Sequence, residues 1–128
     1  MNRRATLTMT TMALLCAAFA VPGAAIAQNA PPTYQADPDV YKVIFEDQSF
    51  RVIASTRKKG VHDKTHSHPV PSVVYFLTDC STRLHAADGK IVDNTRKAGD
   101  VGAVPITQSH SAENIGAADC QAIYVERK

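Results

Sequence analysis

Gly60-Val61-His62-Asp63-Lys64-Thr65-His66-Ser67-His68-Pro69-Val70-Pro71-Ser72-Val73-Val74-Tyr75-Phe76-Leu77-Thr78-Asp79 is the stretch on which the fold turns. In an extended segment alternate side chains share a face, so His66 and His68 point the same way. Neutral imidazole is the commonest metal ligand, and two on one face form half of a chelate. The run from Val73 to Thr78 has the β-branched and aromatic composition of a strand. Ser72, Val74, Phe76 and Thr78 occupy one of its faces, and Val73, Tyr75 and Leu77 the other. Both faces are largely apolar, so both need cover. Segment 41–46 or 50–56 would supply it within the chain, and a second subunit would supply it in a homodimer.

Outward from this stretch the pattern repeats. Tyr41–Glu46 and Phe50–Thr56 read as strands separated by a turn at Asp47-Gln48-Ser49. On the other side, Ser81–Ala87 and Lys90–Arg96 flank Asp88-Gly89, a strong hairpin signal whose two central residues are expected at positive φ. Lys97-Ala98-Gly99-Asp100 makes a further turn, and segments 101–105, 109–114 and 120–126 complete about eight short strands. Such spacing, with no amphipathic helix, predicts an all-β sandwich or barrel.

Two sets of spaced residues sharpen this. Gly60, His66, His68, Ser72 and Asp79 follow the register G-x5-H-x-H-x3-E-x6-G, and Gly99, Pro105, Thr107, His110 and Asn114 follow G-x5-P-x-G-x2-H-x3-N. These are the two cupin motifs, and the chain from Val40 onward resembles a small single-domain cupin. The resemblance implies a double-stranded β-helix, or jelly-roll barrel, with His66, His68 and His110 binding one divalent metal ion. Ser72 stands where the family has its glutamate ligand, while Asp79 and Thr107 replace glycines. The likeness is therefore to three-histidine variants, which include iron thiol dioxygenases and diketone-cleaving enzymes. Iron, zinc, manganese, nickel and copper all accept imidazole, so the ligands do not choose the metal. Without the carboxylate the site keeps its +2 charge, which favours a small anionic or chelating ligand.

Strand parity extends the expected pocket. Ser72, Val74 and Phe76 form a mostly apolar wall, and Gln108, at the parity of His110, is a polar handle. His62, beside Asp63 and Lys64, reads as part of a solvated turn. His85 lies on a hairpin strand with no motif behind it, and Glu113, three residues from His110, faces away from the metal.

The remaining chain sets location and class. Met1-Asn2-Arg3-Arg4, an apolar run over 12–21, and Ala25-Ile26-Ala27 form a secretory signal over residues 1–27. Its apolar run is too short for a stable membrane span, which needs about 20 residues. Removing 1–27 from 128 residues leaves 101, enough for one core over 40–128, preceded by a flexible proline-rich leader at 28–39. The product is expected to be periplasmic or secreted, and free of the membrane. Loss of Arg3 and Arg4 leaves twelve basic and twelve acidic residues, with no basic stripe to serve nucleic acid. Cys80 and Cys120 remain as an even pair, which in an exported domain points to a disulfide worth about 3–4 kcal/mol; two separate buried thiols, or Cys80 as a neighbour of the metal, are the alternatives. Function then divides among a metal-dependent dioxygenase, a non-catalytic metal-containing binder of small molecules, and a structural cupin whose histidines hold no functional metal, because one barrel serves many activities.

Overall fold

The computed structural model describes residues 29–128, so the signal segment lies outside the described residues. One short helix, α1 (Thr33–Ala36), precedes nine strands: β1 (Tyr41–Glu46), β2 (Phe50–Arg57), β3 (His66–His68), β4 (Ser72–Phe76), β5 (Cys80–Ala86), β6 (Ile91–Arg96), β7 (Val101–Val104), β8 (Thr107–Asn114) and β9 (Cys120–Arg127). They pair antiparallel in two sheets, ordered β1-β2-β9-β4-β7 and β3-β8-β5-β6. Among the described residues no helix is long and apolar enough to cross a membrane.

Turn chemistry sets much of the register. Asp47 Oδ1 accepts from the amides of Ser49 and Phe50 at 2.8 and 2.7 Å, which closes the β1–β2 turn. At the β5–β6 hairpin only Gly89 has positive φ, at 85°, so the expected pair of positive-φ residues is corrected. The Ala86 amide donates to the Lys90 carbonyl and the Gly89 amide to the Ala86 carbonyl. The connection therefore holds three residues, Ala87, Asp88 and Gly89, and one residue in the left-handed region suffices for that length.

The leader also departs from expectation. From Ala30 it is not a free arm: the Ala30 amide donates to the Gln108 carbonyl at 3.0 Å, and the Ser67 amide donates to the Pro31 carbonyl at 2.8 Å. Pro32 bridges Ser67 in parallel, Thr33 is buried, and Asp37 Oδ2 accepts from the Lys64 amide at 3.0 Å. Proline holds φ near the extended range, so this segment loses little entropy on docking beside β3.

Inside, the apolar core is small: Val40, Tyr41 and Ile53, backed by Tyr34, Val61 and Tyr124. Cys80, opening β5, and Cys120, opening β9, are joined by a disulfide that ties the two sheets together, with a Cα–Cα distance of 5.0 Å. Asn114 is buried and links three backbone segments, donating to the carbonyls of Arg57 and Ala118 and accepting from the Gly116 amide. The outer face of β4 stays open. Val73, Tyr75 and Leu77 are each nearly half exposed, because β1 and β2 extend the same sheet rather than cover it.

Candidate metal centre

His66 and His68 leave β3 on the same face, and β8 brings His110 directly opposite His66. The ring centroids lie 4.6 Å apart for His66–His110, 5.0 Å for His68–His110 and 5.3 Å for His66–His68. Each ring offers a nitrogen within 4.8 Å of the other two. The three histidines thus converge inside the barrel.

Their protonation suits ligation. Burial, reinforced by the neighbouring imidazoles, lowers His68 to about 3 and His110 to about 4. His66 is also lowered by burial, although Asp63 and the Lys64 carbonyl pull the other way. All three are neutral near pH 7, and metal ligation needs a lone pair. The Lys64 carbonyl lies 2.8 Å from His66 Nδ1 and can only accept, so Nδ1 carries the proton and Nε2 is left to ligate. His110 Nε2 is buried with no hydrogen-bond partner. A buried nitrogen costs free energy when unpartnered, and a cation among the three rings removes that cost. These residues fit a divalent ion.

Behind the triad stands a network that sequence reading missed. Asp63 is buried, and its Oδ2 accepts from Tyr41 Oη at 2.6 Å and from Arg57 Nη2 and Nε at 2.6 and 3.1 Å. Its Oδ1 accepts from the Ala112 amide at 2.6 Å and lies 3.7 Å from His66 Nδ1. Burial pushes the Asp63 carboxyl up, but Arg57, His66 and these hydrogen bonds hold it below its ordinary value. With its oxygens engaged it is no substitute for the glutamate. Asp63 fixes the loop that presents His66, and only its proximity to His66 in sequence hinted at this.

A cavity of about 230 Å³ opens over the triad. Val74 and Phe76 line it as expected, with Leu84 opposite. Ser72 has the inward parity and is buried, yet it lies outside the lining, paired in register with Glu126. Gln108 is a correction: it is exposed and absent from the wall, and Thr107 lines the cavity instead. Between β3 and β8 the register runs His66 to His110 but His68 to Thr107. One extra residue is inserted on β8, and such a bulge reverses side-chain parity beyond it. Arg96 also lines the cavity, from β6, near Gly102 of the facing sheet, and makes no ion pair among the described residues.

Comparison with known proteins agrees with this architecture. A cupin domain from Bordetella pertussis Tohama I superposes with a TM-score of 0.64 at 18% identity, covering 80% of this chain and 99% of that one. A cupin family protein with a double-stranded β-helix from Methanocaldococcus jannaschii gives 0.56 at 14% identity, over 69% and 78% of the two chains. A protein with a double-stranded β-helix domain from Klebsiella pneumoniae gives 0.55 at 21% identity, over 69% and 75%. No protein-family model and no curated protein matches the sequence. The chain has the cupin double-stranded β-helix fold, with a histidine triad able to hold a metal ion at its centre.

Proposed function

We propose that this protein is an exported cupin that binds one divalent metal through His66, His68 and His110, and acts as a dioxygenase on a small anionic or chelating molecule. The observation that carries the reading is a donor set of three neutral imidazoles with no carboxylate among the donors. Such a site leaves the ion's full charge for the ligand, and Arg96 adds a free cation to the wall. A bound ion supplies Lewis-acid charge stabilisation and, when redox-active, a path for electrons to dioxygen. The residues of the chain orient the ligand and exclude water: Val74, Phe76 and Leu84 supply apolar walls, and a volume of about 230 Å³ admits only a small guest. The Cys80–Cys120 disulfide supports an oxidising compartment.

A second reading, capture without turnover, draws on a different observation. No aspartate or glutamate lines the cavity among the described residues, so no carboxylate general base is at hand. One experiment separates the two. The mature chain is purified without a histidine tag, its metals are measured by elemental analysis, and oxygen uptake is followed with a panel of thiols and diketones. Stoichiometric iron with substrate-dependent oxygen loss is the expected result; a tightly held redox-silent metal without turnover selects the binder.

We also propose that the chain pairs with a second copy through the outer face of β4. Val73 and Tyr75 lie in register with Val125 and Ile123 of β9 on one side and with Ala103 and Val101 of β7 on the other, a continuous apolar surface. A dimeric elution volume that becomes monomeric in Tyr75→Glu is expected, and a monomer at every concentration would count against it.

A further inference from the structure

The outer face of the β3-β8-β5-β6 sheet carries a second convergent cluster. His85 on β5 lies in register with Ser111 on β8, and Arg83 with Glu113, so His85 and Glu113 are diagonal neighbours on one face. His62 forms an isolated antiparallel bridge with Glu113, which brings a third segment to the same face. The two imidazoles stack with centroids 4.6 Å apart, and His62 Nε2 is held 2.8 Å from Ser111 Oγ. Each of the three residues offers a ligand atom within 4.8 Å of the other two.

We infer that His62, His85 and Glu113 form a second, external site for a borderline divalent cation of the zinc, nickel or copper class. Two features support a cation over a simple ion pair. His85 Nε2 is buried and has no hydrogen-bond partner, although the ring around it is partly exposed. It lies 3.6 Å from Glu113 Oε2, beyond hydrogen-bond reach. Two donors about 2.0–2.1 Å from one tetrahedral ion sit about 3.3 Å apart, so this gap is the right size for a shared cation. Two imidazoles and one carboxylate are a donor set of that class. The site is independent of the internal triad, since Ser111 and Glu113 point outward from β8 where His110 and Ala112 line the cavity.

The test counts zinc. The mature chain is dialysed against zinc chloride, washed, and measured by elemental analysis, in parallel with His62→Ala/His85→Ala and with Glu113→Gln. Loss of one zinc per chain in the double variant is expected, together with at least a tenfold weaker calorimetric affinity for that zinc in Glu113→Gln. Zinc-soaked crystals are expected to show an anomalous peak between His62, His85 and Glu113. A double variant that binds as much zinc as the parent overturns the site, as does an anomalous map with density only inside the barrel. His110→Ala, run alongside, reports on the internal triad separately, so failure at one location is not mistaken for failure at the other. Circular dichroism of each variant confirms that the exposed substitutions leave the sheet intact.

Discussion

His110 and Glu113 leave the same strand three residues apart, and they therefore serve opposite faces of one sheet. The inward face gathers two buried histidines, His66 and His68, and the partly buried His110, all kept neutral by desolvation and backed by Asp63, Arg57 and Tyr41. The outward face gathers two histidines and a carboxylate, all roughly a third or more exposed, steadied by the His62–Ser111 hydrogen bond, the ring stack and the backbone bridge of His62 to Glu113. Preorganisation separates them. The inner site meets its ligand already desolvated and aligned, whereas the outer one must still order its side chains, and that ordering weakens binding.

The largest break in this comparison is His110→Ala, which is expected to abolish metal retention inside the barrel while leaving the outer zinc in place; elemental analysis of the washed protein reads both. Next is Asp63→Ala, which strands the buried Arg57 guanidinium. Breaking a buried pair in this way costs about 3–5 kcal/mol, visible as a lower urea midpoint, and is expected to weaken internal metal binding by about 10–100-fold.

A smaller effect comes from pH. In the metal-free chain, His68 and His110 titrate near 3 and 4 when folded and near 6.5 when unfolded. Between those values the unfolded chain holds more protons, so stability is complete above about pH 6.5 and declines as pH falls toward 4 and 3. Urea midpoints measured from pH 7.5 to 4 are expected to fall. The smallest effect is that of Gln108→Ala, which is expected to leave metal content and ligand affinity unchanged. A clear loss would mean that the bulge does not hold Gln108 outside.

The inner triad was legible because its three histidines sit in two stretches whose internal spacing is fixed, and the alternation around Val74 and Phe76 carried the barrel wall. Parity failed at Gln108 because an inserted residue on β8 leaves no mark in the alternation of side chains. The role of Asp63 was hidden because its partners, Tyr41 and Arg57, come from other strands. The outer cluster was hidden for the same reason: His62, His85 and Glu113 share no motif, and the pairing of β5 with β8 and the isolated bridge of His62 to Glu113 bring them together. The docked leader was misread because its prolines suggest a linker, whereas here they fit an extended strip.

That strip has a consequence for solubility. β3 is the border strand of its sheet, and Pro31 and Pro32 lie along it where another chain's strand would otherwise hydrogen-bond. Proline has no amide hydrogen to offer a newcomer, so ladder growth stops at the leader. A version trimmed to begin at Pro38 would uncover the Ser67 amide and the β3 backbone, and would be prone to stack border to border into insoluble ribbons.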